Sequence, residues 1–328
     1  MKLLAVLLVC CGFAAAGRPQ DTTELLRLEK TIPMPKVEGR IDHMAADVTG
    51  QRLFVAALAN NTVEVLDLKA GTTIQSIPGF AEPQGIAYVP ELNRVFIANG
   101  QDGTCRILDG QSLKTVSSVQ CGDDADNVRY DAKAGRIWVG YGGGALVALD
   151  AKTGAKLADI KLAAHPESFR LETGTPRIFV NVPKADQIAM VDRDKGEVTA
   201  TWPLKEAKSN FPLYLDEANH RLFVGCRSPA RLLVYDYAAG RQVASLPISR
   251  DTDDSFYDAA NKLLYVSCGQ GIIDVIHQTD AEHYNVAKTI TTATGARTSL
   301  FLPELKILCL AVPHRGNQLA EIRVFKSK

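Results

Sequence analysis

One five-residue run recurs along the chain, and its spacing constrains the fold more than any other feature of the sequence. The run reads RLFVA at 52–56 and returns as RVFIA, RIWVG, RIFVN, RLFVG, LLYVS and ILCLA. The fourth residues of successive runs are separated by 42, 42, 41, 44, 42 and 44 residues. A period held this closely is typical of a repeat architecture, in which each repeat is one supersecondary unit.

Each unit has the same internal order around this run. A short apolar segment precedes it, as in HMAAD and GIAYV, and a third segment that ends at Asp follows it, as in TVEVLD and ALVALD. A turn with Gly, as in LKAG or AKTG, then leads to a fourth segment such as TTIQSI. Because segments rich in Val, Ile and aromatics joined by Asp and Gly turns are typical of hairpins, each unit is predicted to form four antiparallel strands.

Seven such units predict an all-β fold, the seven-bladed β-propeller with four-stranded antiparallel blades. Tetratricopeptide, HEAT and ankyrin arrays need helices, whereas no amphipathic helical pattern is present, and a β-sandwich would not produce seven matched units. The segment AEIRVFKSK at 320–328 corresponds to the third strand of unit seven, and LLRLEKTIPMP at 25–35 resembles a fourth strand. The N-terminal strand is therefore expected to complete the last blade, which would protect two open sheet edges.

The N-terminus has the charged, apolar and small-residue order of a secretory signal. The segment MKLLAVLLVCCGFAAAG predicts a signal peptide over 1–16, cleaved after Ala16, which leaves 17–328 as a single propeller domain. A secreted or periplasmic protein is expected. Lipid-modified cysteines usually follow a small residue. Lipoprotein anchoring is therefore disfavoured, because Cys10 follows Val9 and Cys11 follows Cys10. No later segment has the ~20 apolar residues of a transmembrane helix.

Composition and motifs exclude several classes of function. Lys plus Arg and Asp plus Glu are both 37, and this neutral balance argues against a nucleic-acid partner. The spacings of the five later cysteines contain neither C-x-x-C nor C-x-x-C-H, so a zinc ribbon, a redox pair and covalently attached haem are not indicated. Their pairing is left open; they are Cys105, Cys121, Cys226, Cys268 and Cys309. A monomer is expected, and no motif for a known reaction is present.

The repeated strands and hairpins resemble the YVTN-repeat (YncE-like) β-propeller family of exported bacterial proteins. The resemblance rests on the RLFVA, RVFIA and RIFVN runs, on VLDLKAG and ALDAKTG, and on PQGIAYVPELNRVFIANG at 83–100. It covers the chain after the signal, although no unit contains a literal Tyr-Val-Thr-Asn. The resemblance implies a propeller fold and export, and it leaves function open because fold alone does not determine activity.

The residues at the start of each blade are the candidates for function, since the first strand of a propeller blade lies against the central channel. Ten residues before each run, the units carry Asp42, Gln84, Asp126, Glu167, Phe211, Asp253 and Arg297. The following positions include His43, Asn127 and Asp254, and unit six could slip by one residue so that Asp253 and Asp254 exchange roles. Repetition is predicted to bring these side chains to one rim of the channel.

The loops after the second strands add Arg227 and His314 to this face. The predicted ligand-binding set comprises Asp42, His43, Gln84, Asp126, Asn127, Glu167, Asp254, Arg297, Arg227 and His314. Within it, the carboxylates of Asp126, Glu167 and Asp254 are candidate ligands of a divalent cation such as Ca²⁺ or Mg²⁺. The alternative is a rim that binds only water, because channel mouths are wet.

His43 is the candidate acid–base residue because the unperturbed pKa of histidine lies near neutrality. Adjacent residues in a strand point to opposite sides, so a direct contact between Asp42 and His43 is not expected. A partner from unit two or unit seven is expected instead, with Gln84 and Arg297 within reach.

The sequence favours a binding or scaffold protein that holds a small molecule or a protein partner at the channel mouth. The alternative is an enzyme, a lactonase-like hydrolase or a lyase. There the cation would polarise a substrate carbonyl and His43 would transfer the proton.

Overall fold

The chain folds into a ring of seven four-stranded antiparallel sheets, each forming one blade. The computed structural model describes residues 24–328, and the signal peptide predicted over 1–16 lies outside them. The predicted seven-bladed β-propeller is confirmed. Between residues 24 and 328, no helix has the length and apolar character needed to cross a bilayer.

The first half of the chain forms three blades after one separate strand. That strand is β1 (Leu26–Pro33). Blade 1 consists of β2 (Met44–Asp47), β3 (Arg52–Ala57), β4 (Thr62–Asp67) and β5 (Thr72–Pro78). Blade 2 consists of β6 (Pro83–Val89), β7 (Arg94–Asn99), β8 (Thr104–Asp109) and β9 (Thr115–Gln120). Blade 3 consists of β10 (Val128–Asp131), β11 (Arg136–Tyr141), β12 (Ala145–Asp150) and β13 (Lys156–Lys161).

The second half forms the other four blades. Blade 4 consists of β14 (Phe169–Leu171), β15 (Arg177–Val182), β16 (Gln187–Asp192) and β17 (Glu197–Pro203). Blade 5 consists of β18 (Lys208–Asp216), β19 (Arg221–Ser228), β20 (Ala230–Asp236) and β21 (Arg241–Pro247). Blade 6 consists of β22 (Thr252–Asp258), β23 (Leu263–Cys268), β24 (Ile272–Gln278) and β25 (Tyr284–Thr291). Blade 7 consists of β26 (Ser299–Leu302), β27 (Ile307–Val312), β28 (Glu321–Ser327) and β1, and three 3₁₀ turns span Leu58–Asn60, Pro90–Leu92 and Pro183–Ala185.

The recurring run forms the second strand of every blade. Its residues are apolar in succession because both faces of this strand pack against neighbouring blades; in β3, for example, all residues from Leu53 to Ala57 are buried. The outer strands face solvent on much of their surface, as in β5. The core therefore consists of apolar layers between blades, which fix the first strand of each blade at the channel.

The ring closes as predicted. Strand β1 pairs antiparallel with β28, with Ile32 opposite Ile322 and Leu26 opposite Ser327. Ile32 is fully buried in the cluster between blades 7 and 1. This pairing satisfies the edge of β28 and joins the two ends of the described chain.

The Asp that ends the third strand of several blades organises the following turn. The Oδ1 atom of Asp67 accepts hydrogen bonds from the backbone N–H groups of Lys69 and Ala70 at 2.8 and 2.7 Å. Asp150 and Asp236 accept equivalent pairs of backbone hydrogen bonds. The side chain thus stabilises the hairpin turn, which explains the recurring Asp-x-x-x-Gly pattern.

Candidate ligand site at the channel mouth

The segment before β2 brings Asp42 and His43 to the channel mouth. Residues 41–43 precede the strand and are held by backbone hydrogen bonds from Asp42 N to Ala56 O at 2.8 Å and from His43 N to Gln84 O at 3.3 Å. Strand alternation does not apply to them, and His43 Nε2 lies 3.7 Å from Asp42 Oδ1. The expectation that the two side chains do not contact each other is therefore wrong.

His43 is surrounded by carboxylates from three blades. Its Nδ1 lies 3.7 Å from Asp254 Oδ2, and its Nε2 lies 4.0 Å from Asp126 Oδ1 as well as close to Asp42. The expectation of a side-chain partner from unit two or seven is wrong, because the partners come from units one, three and six. Burial alone would lower the pKa of His43, but these carboxylates raise it to about 10. His43 is therefore an imidazolium at neutral pH, and the near-neutral pKa expected for it is wrong.

A second cluster lies beside this group and contains Asp126, His165 and Glu167. One potential ligand atom from each residue lies within 4.8 Å of the others. His165 Nε2 is 3.8 Å from Asp126 Oδ2, and His165 Nδ1 is 3.5 Å from Asp124 Oδ2. Asp126 and Glu167 lie together, as predicted for two ligands of a cation. The third predicted ligand, Asp254, is separated from Asp126 by the imidazole of His43, and His165 takes its place.

Backbone packing positions Asp126 in this cluster. Gly85 occupies the blade 2 position that corresponds to His43, and a Cβ atom there would lie 2.1 Å from the backbone oxygen of Asp126. Glycine is thus required for the close approach of blades 2 and 3. The Asp126 backbone N–H donates to Gly140 O at 2.9 Å, which fixes the loop on its other side.

Burial and repulsion between carboxylates raise two pKa values at the mouth. Burial, with the negative charges of Asp126 and Asp253, raises the pKa of Glu167 to about 8. Burial raises the pKa of Asp42 to about 6, although His43 and Arg40 act in the opposite direction. The raised pKa of Glu167 is due mainly to burial, and a bound cation would compete with the proton that this carboxyl retains near neutrality.

The opposite side of the mouth is a closed ion-pair network. Arg297 donates from Nη1 to Asp251 Oδ1 at 2.8 Å, and its Nε lies 3.1 Å from Asp253 Oδ2. Arg227 pairs with the other oxygen of Asp253 and lies over the Phe211 ring at 3.4 Å. A register irregularity between Thr252 and Asp254 allows the two adjacent acids to serve different groups, Asp253 the arginines and Asp254 His43.

The remaining predicted residues lie around these clusters. Gln84 is buried and donates to Asp124 Oδ1 at 2.9 Å, so it supports the loop that contacts His165. Asn127 is buried and accepts a hydrogen bond from Arg129 at 2.9 Å. His314 pairs with Glu38 at the outer rim.

Counting back ten residues missed His165 because it lies two positions earlier, in the loop before Glu167. Its position directly before Pro166 in a loop that leads to the channel was the available signal.

Comparisons with known proteins show the fold. No protein-family model matches the chain, and neither does any curated protein sequence. Among solved structures, the chain is similar to Kuenenia stuttgartiensis hydrazine synthase, with a TM-score of 0.76 and 15% identity over 94% of this chain and 99% of that one. It is also similar to a chain in the crystal structure of the mitotic checkpoint complex, with a TM-score of 0.78 and 12% identity over 99% and 98% of the two chains. At these identities the likeness is one of fold, and the chain is a β-propeller.

Proposed function

We propose that this protein is an exported, ligand-binding β-propeller of the YVTN-repeat type that binds a divalent cation at Asp126, His165 and Glu167. The observation that carries the proposal is the convergence of one ligand atom from each residue within 4.8 Å. The bound cation would in turn offer a coordination site to a small ligand or to a group on a protein partner at the channel mouth.

The state of Asp126 supports a cation at this place. Its Oδ1 atom is buried and accepts no hydrogen bond from residues 24–328, and the whole residue is 7% exposed. A buried carboxylate oxygen that accepts no hydrogen bond is costly even with the His43 ring 4.0 Å away, and a cation would satisfy it. The proton that Glu167 retains near neutrality would be displaced by the same cation.

The donor set indicates which cation is preferred. Two carboxylates and one imidazole suit Zn²⁺ or Mn²⁺ better than Ca²⁺ or Mg²⁺, because an imidazole nitrogen is a poor ligand for hard cations. Because of His165, we expect Zn²⁺ or Mn²⁺ at this site in place of the Ca²⁺ or Mg²⁺ expected for a site of carboxylates alone.

The cation site is tested by calorimetry and thermal unfolding of metal-free protein titrated separately with Zn²⁺, Mn²⁺, Ca²⁺ and Mg²⁺. A cation at 100 times its Kd should stabilise the fold by about 2.7 kcal/mol. His165→Asn should remove this effect. His283→Asn is the matched control, since His283 forms an exposed pair with Asp280 at 2.8 Å. Absence of binding by all four cations, or unchanged affinity in His165→Asn, would refute the site.

The enzymatic alternative is a lactonase-like hydrolase or a lyase that uses the same cation. It has less support than binding because His43, which was expected to transfer the proton, is held as an imidazolium by Asp254, Asp42 and Asp126. Turnover of a lactone panel by Zn²⁺- or Mn²⁺-loaded protein, lost in His165→Asn, would favour the enzyme.

Export is tested separately by N-terminal sequencing of the secreted or periplasmic chain. The expected first residue is Gly17, directly after the small-residue segment Ala14–Ala16. A chain that keeps Met1 and remains inside the cell would contradict export without affecting the cation site.

A further inference from the structure

A cavity of about 260 Å³ lies in the channel below the mouth. Its wall includes residues of blades 1, 2, 3, 4, 6 and 7, among them Ala45, Ala87, Arg129, Arg170 and Phe256. These residues lie three positions after the mouth residues Asp42, Gln84, Asp126, Glu167 and Asp253 in the sequence. These five residues form one level of the channel, and His43 and Asp254 of the mouth also line the cavity.

The residues at this level occupy one equivalent position in all seven first strands. Each pairs with the third residue of the recurring run, and the seven are Ala45, Ala87, Arg129, Arg170, Tyr214, Phe256 and Leu300. Two small side chains leave the space, two arginines supply charge, and the other three are apolar or aromatic. The repeat thus places two positive charges against a largely apolar wall.

Neither arginine forms an ion pair with a residue of the described chain, although the nearby Asp254 carboxylate raises the pKa of both. In the part of the chain from residue 24 onward, no carboxylate lies within 4.0 Å of a guanidinium nitrogen of Arg129 or Arg170. Arg129 donates to Val128 O at 2.8 Å and to Asn127 Oδ1 at 2.9 Å, while its buried Nε has no hydrogen-bond partner there. Arg170 donates from Nε to Leu213 O at 2.9 Å, and its two Nη groups make no hydrogen bond with the described residues.

Aromatic rings hold both guanidinium groups in place. Arg170 lies 5.1 Å from the Tyr214 ring centroid and 5.7 Å from that of Phe256, and Arg129 lies 5.6 Å from that of Phe169. Such stacking fixes the planar group without using its N–H donors. The donors of two neighbouring guanidinium groups thus remain available to one acceptor in the cavity.

Burial makes the two positive charges costly, although Asp254 acts in the opposite direction on the pKa of both arginines. Burial lowers the pKa of Arg129 to about 9, and the neighbouring charge of Arg170 acts in the same direction. Burial also lowers the pKa of Arg170. An anion between the two groups would relieve their repulsion and accept hydrogen bonds from their free N–H groups, as carboxylates do in bidentate pairs with arginine.

We propose that this cavity binds a small organic carboxylate, held by Arg129 and Arg170, with its apolar part against Ile86, Phe256 and Leu300. The cavity volume lies just below the usual range for ligand pockets, which indicates a small ligand. The apolar wall disfavours a compact, fully hydrated inorganic anion. This site needs no cation and goes beyond the function proposed for the mouth.

The test is calorimetric titration of the full chain with benzoate and hexanoate, and with benzamide and hexanamide as neutral analogues, at constant ionic strength. Metal is first removed on a chelating resin, because soluble chelators are themselves carboxylates. At least one carboxylate should bind at least tenfold more tightly than its amide. Equal affinity of acid and amide, or sulfate binding as tight as carboxylate binding, would overturn the proposal.

Three variants locate the binding. Arg170→Met should weaken carboxylate binding at least tenfold, whereas Arg27→Met, at an exposed position of β1, should leave it unchanged. Ala87→Met should abolish binding by filling the cavity while both arginines remain. Circular dichroism checks each fold, and Arg170→Lys replaces Arg170→Met if the latter unfolds. Unchanged binding in Ala87→Met would place the anion elsewhere and refute the proposal.

Discussion

Closure of the ring by β1 predicts a specific cost for truncating Ile32. This side chain is fully buried between blades 7 and 1 and belongs to the same apolar cluster as Met44 and Val324. Ile32→Ala removes three carbon groups, which at about 0.8 kcal/mol each amounts to about 2.4 kcal/mol of lost transfer energy. The remaining cavity adds to this loss, so we expect about 3 kcal/mol of destabilisation.

Urea unfolding followed by tryptophan fluorescence measures this cost against two controls. Thr31→Ala, at an exposed position of the same strand, should change the free energy of unfolding by less than about 0.5 kcal/mol. Ile160→Ala, in the outer strand of blade 3 at 2% exposure, should cost about as much as Ile32→Ala. If Ile160→Ala shows its full cost and Ile32→Ala behaves like Thr31→Ala, β1 is not packed onto blade 7 in solution and the closure is refuted.

Three further results are expected from the rest of the fold. Burial would raise the pKa of Glu172, but hydrogen bonds from Arg177 and Thr175 lower it overall. Its contribution is present above the unfolded-state pKa and is lost as the pH falls through the lower folded-state pKa. The stability difference between wild type and Glu172→Gln should therefore shrink in urea titrations below about pH 4.5. Arg193 is buried, and its Nε lies 3.1 Å from Asp131 Oδ2, so Asp131→Ala leaves its charge without this carboxylate. We expect about 3 kcal/mol of destabilisation in urea unfolding, and a loss under about 1 kcal/mol would contradict this expectation. The five cysteines of the described chain are buried thiols, so a thiol reagent should react with them slowly in native protein. In denaturant, the chain from Gly17 onward should show five rapidly reacting groups, and three would indicate a disulfide.

The fold was predictable because one physical requirement repeats along the chain. The second strand of each blade packs between two neighbouring blades, so each unit needs an unbroken apolar run at this strand. The run can be recognised in the sequence without any tertiary information. The closing strand was predictable for the same reason, since Ile32 in β1 occupies the apolar position that an outer strand needs against β28.

The site was predictable by position but not by contact. Counting from the run identified Asp42, Asp126 and Glu167 at the mouth, because the number of residues between the mouth and the second strand is nearly constant. The contact between Asp42 and His43 was missed because the strand begins at Met44, one residue after His43. Strand geometry was thus applied to residues that lie in a loop, whose side-chain directions depend on tertiary contacts.

The arginine level was missed for a different reason, although the same counting would have found it. Arg129 and Arg170 lie seven residues before their runs, where other units have alanine, leucine or an aromatic residue. A single arginine in a short strand is typical of a half-exposed face, and only comparison across all seven units shows that both arginines lie at one level of the channel. The mouth level varies in the same way among acids, an amide, phenylalanine and arginine. Packing constrains the strand and turn positions of every unit. The differences between units at these two levels therefore give a symmetric ring an asymmetric binding surface. The two sites also differ in sign, with the carboxylates of Asp126 and Glu167 at the mouth and the guanidinium groups of Arg129 and Arg170 deeper in the channel, so a ligand that used both would need a cation-binding group and an acid.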